Sequence, residues 1–230
     1  MNQSEETTII SLGGSLIVPD DIDIEFVKSF TELIKNRAES GERFVIITGG
    51  GRICRRYQAA LKAIRPTITS EEGDWMGIYV TRLNGELVRL AFGQSAYSKV
   101  VFGNQMIKGI PNSIIVGAGD APGRSTDFDA VELAEAASAS RIINLSNIDF
   151  VYSADPKIDP NAKKYQKISW SEYRSIIPKD WKPGLSTPFD PVASEKAEQL
   201  GLKVLIANGK SLDNLKALLL GQPFEGTTIS

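Results

Sequence analysis

FVIITGGGRICRRY, residues 44–57, is the stretch whose reading decides the fold. The apolar run Phe44 to Ile47 reads as a buried strand, and Ile53, Tyr57, Leu61 and Ile64 recur at helical spacing until Pro66 stops the helix. Between them Gly49, Gly50 and Gly51 offer bare backbone, so a strand runs into a helix through a turn that an anion can approach closely. The first turn of a helix leaves N–H groups unsatisfied, its dipole adds partial positive charge, and Arg52, Arg55 and Arg56 supply full charges. Such a turn suits phosphate, with an ordinary strand-to-helix connection as the lesser alternative.

Two further turns share this setting. Leu12, Gly13, Gly14 and Ser15 follow a predicted strand Thr7 to Leu12, and the loop Gly117 to Ser125 follows a strand Ser113 to Val116 and precedes a helix with Ala130, Leu133, Ala134 and Ala137 on one face. Ligands of open α/β sheets sit outside the carboxyl ends of the strands, so the three turns are expected to line one crevice. The alternation continues outward. Helices are expected over about Asp23 to Ser40, from a Ser70 cap through Leu87, over Asp190 to Leu200 and over Leu212 to Leu220. Strands are expected at Arg141 to Leu145, Asp149 to Tyr152, Lys203 to Ala207 and Gly226 to Ile229, with a polar loop from Ser153 to Lys164. The pattern predicts an α/β fold: a single-domain three-layer αβα sandwich with a mostly parallel central sheet. Pro178 to Pro188 is the most loop-like segment, too short to separate domains.

Composition narrows the chemistry. A chain of 230 residues, 42% hydrophobic and 23% charged, fits one domain spanning 1–230, with the first six residues expected to be flexible. A formal net charge of −2 argues against a broad nucleic-acid face. There is no histidine, which excludes Ser-His-Asp triads, imidazole acid–base chemistry and His-ligated metals. Cys54 stands alone, so no internal disulfide forms, and it reads as a small buried filler. No basic-then-apolar leader opens the chain and no apolar run has the length of a membrane span, so a cytoplasmic location without membrane partners is expected.

Neither GxxxxGK[ST] nor a GxGxxG opening a βαβ helix is present, so P-loop and Rossmann readings fail. The segments LGGS (12–15), TGGGRICRRY (48–57), DWMGIYVTRLNG (74–85), PGRSTD (122–127), SNIDFVYSADPKIDPNAKK (146–164) and GTTI (226–229) make the chain resemble the amino acid kinase superfamily, and within it the archaeal-type UMP kinases. The resemblance runs from about Thr7 to Ile229. It implies transfer of the γ-phosphoryl of ATP to UMP with Mg²⁺ on the nucleotide phosphates, in pyrimidine nucleotide synthesis, by a homohexamer. Position by position it places Gly14, Ser15, Gly51, Arg55, Ser146, Asn147, Tyr152 and Asp155 on ATP. UMP falls to Gly50, Asp74 and the loop Asp120, Ala121, Pro122, Gly123, Arg124, Ser125 and Thr126. Arg55, Asp127 and Lys157 are the candidate catalytic residues.

Phosphoryl transfer asks little covalent chemistry of a protein. It needs two nucleotides in line and the charge on the equatorial oxygens neutralised, which backbone N–H groups, Arg55 and Mg²⁺ supply without histidine. Several residues carry plainer alternatives: Arg52 and Arg56 as solvated helix charges, Tyr152 as a core aromatic, Asp155-Pro156 as a turn, and Asp127 as a first-turn acid. Two departures from the superfamily pattern matter. Ser11 stands where many of these kinases carry a lysine that the archaeal-type subgroup also lacks, and Phe150 stands where glycine is usual. They keep open a nucleotide-sensing module with an altered site, and the shared superfamily fold keeps open a molybdate-storage-like ATP-binding protein.

Overall fold

The computed structural model describes residues 7–179 and 187–230, without the side chains of Gln105 and Met106. The expectations for the first six residues and for most of Pro178 to Pro188 therefore lie outside the described residues. In chain order the elements are β1 (Thr7–Leu12), α1 (Gly14–Ile17), α2 (Ile24–Glu39), β2 (Arg43–Thr48), α3 (Gly51–Ile64), α4 (Ser70–Phe92), β3 (Val101–Phe102), β4 (Ile114–Ala118), α5 (Thr126–Ala136) and β5 (Arg141–Ser146). They continue with β6 (Val151–Tyr152), β7 (Lys164–Tyr165), β8 (Lys167–Ile168), α6 (Trp170–Ile176), α7 (Pro191–Gln199), β9 (Lys203–Asn208), α8 (Leu212–Leu219) and β10 (Thr227–Ile229).

Among the described residues eight strands form one sheet in the order β3-β4-β2-β1-β5-β9-β10-β8, parallel except where β10 runs antiparallel to β9. Strand alternation divides the core between two faces. Ile9, Val45, Ile47, Ile115 and Ile142 meet α5, α6 and α7 through Ala130, Ala134, Trp170, Tyr173 and Ala197. Ile10, Leu12, Phe44, Ile46 and Leu145 meet α1, α2, α4 and α8 through Ile17, Phe30, Ile34, Val88 and Leu215. This is the three-layer α/β sandwich expected. The chain builds β1, β2 and β4 outward to one side and then returns to add β5 and β9 on the other, so order reverses between β1 and β5. A crevice forms at the carboxyl ends of strands at such a switch point.

At three helices the structure corrects or adds to the sequence reading. The cap of α4 is Thr69, not Ser70: its hydroxyl accepts from Glu72 N while the Glu72 carboxylate accepts from Thr69 N, a reciprocal capping box. The apolar stripe of α3 is not core; none of its residues is buried, and Tyr57 and Ile64 are exposed. Helix α6 went unread, although Ser169 caps it through Glu172 N and its Trp170 and Tyr173 are buried. Among the described residues no helix is long and apolar enough to cross a membrane.

Candidate active site

The first two glycine turns lie against each other. A Cβ on Gly14 would come 2.6 Å from Gly50 C and Gly51 N, and Gly51, at φ 63°, has its own Cβ direction filled by the Gly14–Ser15 backbone. Only glycine fits either place. Gly13 N donates to Leu145 O (2.8 Å), Gly49 N donates to Leu12 O (2.9 Å), and Arg52 N donates to Ser15 Oγ (3.2 Å), so β1, β2 and β5 deliver their ends to one point.

Helix α4 holds the remaining turn. The Thr48 hydroxyl donates to Thr81 O (3.0 Å) and to Gly117 O (3.2 Å), Thr81 Oγ1 accepts from Gly119 N (2.9 Å), and Asn84 Nδ2 donates to Gly49 O (2.9 Å). Arg82 donates to Gly119 O and Asp120 O (3.2 and 3.1 Å) with its guanidinium 4.1 Å from the centre of the Phe102 ring. Reading the sequence for glycines and arginines missed Thr81, Arg82 and Asn84, whose partners lie more than thirty residues away.

Two clefts open from these turns. The first, between α3, α4 and the third turn, is lined by Asp74, Ala121, Arg124 and Ser125; the second, over the ends of β1 and β5, by Gly14, Ser15, Asp127, Ser146 and Asn147. Gly50, Gly51, Arg55 and Thr126 line both, and so form the junction. Asp120, Pro122, Gly123, Tyr152, Asp155 and Lys157 line neither. Gly123 nonetheless donates its N–H to Asp74 Oδ2 (2.9 Å), closing the third turn over the first cleft. Tyr152 pairs with Lys164 in the β6–β7 ladder, and Phe150 packs edge-on to its ring under Lys164 Nζ. Asp155 makes the turn read as its alternative, accepting from Lys157 N (2.9 Å).

The arginines separate by partner. Arg52 and Arg56 both bind Asp20. Arg124 is enclosed by Asp120, Asp129 (3.0 Å) and Glu132 (2.9 Å), which anchor the third turn to α5. Arg55 lines both clefts and makes no ion pair among the described residues, so its charge is the one left for a ligand.

Two acids have unusual surroundings. Asp127 is half-buried in the wall of the second cleft; its Oδ1 accepts from Ser11 Oγ (3.2 Å) and Asn144 Nδ2 (3.0 Å), its Oδ2 from Asp190 N (3.2 Å). Those donors are all neutral. Burial first, and the nearby Asp190 carboxyl second, push its pKa up to about 7. Asp129, lining the first cleft, is likewise pushed up to about 7 by burial, against the opposing pull of Arg124. Cys54 is no buried filler: half-buried, it lines the first cleft, and burial raises its thiol pKa.

Comparison with known proteins agrees with this geometry. Residues 6–208 match the family model described as the amino acid kinase family. Uridylate kinase of Methanospirillum hungatei is 33% identical over 227 residues, covering 97% of this chain and 94% of that protein. Uridylate kinase of Pyrococcus abyssi is 33% identical over 228 residues, covering 96% and 98%. The crystal structure of uridylate kinase from Archaeoglobus fulgidus superposes with a TM-score of 0.82 at 29% identity, covering 97% of this chain and 99% of that one. UMP kinase from Bacillus anthracis, at 20% identity and a TM-score of 0.78, shares the fold. With the family model spanning most of its length and relatives a third identical from end to end, the chain belongs to the amino acid kinase family.

Proposed function

We propose that this chain phosphorylates UMP to UDP at the expense of ATP. The observation that carries the reading is the junction: two clefts, end to end, that share Gly50, Gly51, Arg55 and Thr126. In-line transfer requires donor and acceptor phosphates to meet at one point with the two nucleosides directed away from each other.

UMP is assigned to the first cleft. Asp74 accepts from the ribose hydroxyls, Gly50 at the head of α3 faces the phosphate, and the turn from Asp120 to Thr126 wraps the nucleoside. ATP is assigned to the second, with Gly14, Ser15 and Gly51 along the phosphates and Ser146 and Asn147 toward the nucleoside. Arg55 stabilises the charge that builds on the transferring phosphoryl group from a position common to both clefts. Lys157 has its place in the turn after Asp155, so the transfer is assigned to Arg55 without it, and Tyr152 and Asp155 are proposed only as outer contacts of the nucleoside. Asp127 forms the wall of the ATP cleft.

Mg²⁺, bound with ATP, neutralises phosphate charge. The Ser15 hydroxyl and the Asn147 amide lining the cleft are neutral oxygen donors suited to the water shell of a hard cation riding on the phosphates. One catalytic domain over 1–230, a cytoplasmic setting in pyrimidine nucleotide synthesis and a homohexameric assembly complete the proposal, the last supported by the uncovered apolar face of α3 and α4.

The test mixes protein, ATP and Mg²⁺ with each nucleoside monophosphate in turn. Rapid ADP release with UMP alone is expected. Nucleotide binding without turnover would instead identify a sensing module, and oxyanion uptake without turnover a storage protein.

A further inference from the structure

Helices α3 and α4 present matched stripes to the first cleft. On α3 the lining residues are Gly51, Cys54, Arg55 and Gln58; on α4 they are Asp74, Gly77, Ile78 and Thr81. Both sets recur every three or four residues, one face of a helix. The helices run antiparallel, because their contacts descend in step. Gln58 meets Gly73 and Gly77, Cys54 Sγ meets Gly77, and a Cβ on Gly50 would lie 3.6 Å from Thr81 Cγ2. Gly50 belongs to the junction, so Gln58 and Asp74 stand together at the far end of the cleft. The proposed reaction gives Gln58 no part.

Gln58 is half-buried and held in one orientation. Its Nε2 donates to Gly73 O (2.9 Å), the carbonyl just before Asp74, and lies where a Cβ on Gly77 would come within 3.1 Å. The bare backbone at Gly77 thus makes room for the amide. A carbonyl oxygen accepts and cannot donate, so it takes the NH₂ end and leaves Oε1 as the free end. Asp74 is arranged in the same way. Its Oδ2 accepts from Gly123 N (2.9 Å), and Oδ1 is left over. Among the described residues neither Gln58 Oε1 nor Asp74 Oδ1 has a hydrogen-bond partner, and neither atom is enclosed.

We propose that Gln58 is a specificity-determining residue of the acceptor cleft: its Oε1 accepts from one hydroxyl of the ribose diol while Asp74 Oδ1 accepts from the other, so that the site selects ribonucleotides over their deoxy analogues. The inference rests on the assignment of UMP to this cleft. With the phosphate at Gly50, the sugar edge that carries the two hydroxyls is directed toward the outer end of α3 and α4. Two oxygens, each held from behind by a backbone group, suit two hydroxyl donors. An amide also supplies the second acceptor without placing another negative charge beside Asp74 and the substrate phosphate. A nucleotide that lacks one hydroxyl leaves the oxygen facing it without that bond.

Gln58→Met separates this role from packing, since methionine keeps the length and unbranched shape of the side chain against Gly77 and removes the amide. The ratio kcat/KM is measured for UMP, 2′-deoxy-UMP and 3′-deoxy-UMP at saturating ATP and Mg²⁺, in the native protein and the variant. The native protein should prefer UMP over each analogue by about tenfold or more. The variant should lose its preference over one analogue, whose missing hydroxyl it no longer reads, and keep its preference over the other, which Asp74 reads. A change in packing alone would lower all three substrates together and leave both preferences standing; that result overturns the role of Gln58. Loss of both preferences by the same factor overturns it as well, because the whole sugar would then have moved. A native protein that uses UMP and both analogues equally well removes ribose reading from this end of the cleft. A native protein that forms no UDP from UMP overturns the assigned reaction and this role with it.

Discussion

Arg55 is the cation at the junction that no carboxylate occupies among the described residues, and the chemistry should follow from that. Arg55→Ala is expected to lower kcat by roughly 10²–10³-fold while ATP and UMP still bind, measured by steady-state rates beside calorimetric affinities. An unchanged kcat would remove Arg55 from the transfer. Burial at Asp127 and Asp129 predicts a pH effect on stability. Each pKa stands at about 7 in the folded protein against 3.8 for the free side chain, so the folded state holds protons that the unfolded chain releases. The resulting advantage is full below about 4 and lost as pH climbs through about 7. The urea midpoint should therefore be lower at pH 8 than at pH 5.5, with a smaller gap in Asp127→Asn; a gap unchanged by that substitution would count against the assignment. Glycines and Arg55 were legible in the sequence because they are contiguous and their chemistry is local. The setting of Asp127 was not, since Ser11 and Asp190 reach it from 116 and 63 residues away.

Helix α4 is the element that turns three separate loops into one site. Thr81 holds the third turn by accepting from Gly119 N, and valine there would keep the shape but leave that buried N–H unpaired, at a cost of about 1–3 kcal/mol. Because that turn closes the first cleft alone, Thr81→Val should raise the KM for UMP well above any change in the KM for ATP. Equal effects on both substrates would place the turn's role elsewhere. Apolar periodicity revealed α2, α3, α4, α5 and the long strands, where six-residue runs bury every position or nearly so. It could not reveal β3, β7 and β8, two residues each, which exist only by pairing with a distant strand. It also located α3 without saying what lies against it, because a period of 3.6 shows that a helix has an apolar face and not what covers it.

At the scale of the molecule, the uncovered face carries its own argument. Tyr57 and Ile64 lie two turns apart on α3, while Trp75, Tyr79, Leu83 and Leu90 follow one another along α4, all exposed. Exposed apolar side chains grouped along two packed helices mark a surface suited to a protein partner, and they lie beside the cleft assigned to UMP, which α3 and α4 wall through Cys54, Arg55 and Asp74. A second copy of the chain seated there would bury the stripe and stiffen the wall of the acceptor cleft at once. Such a pair is the unit from which the proposed homohexamer is built, and sedimentation should give a mass near six times 25.0 kDa. Leu83→Glu, which places a charge at the most exposed position of the α4 stripe, should yield smaller species with a raised KM for UMP and the same far-ultraviolet circular dichroism. A native protein that sediments as a single 25.0 kDa species would leave this face to another partner and exclude the hexamer.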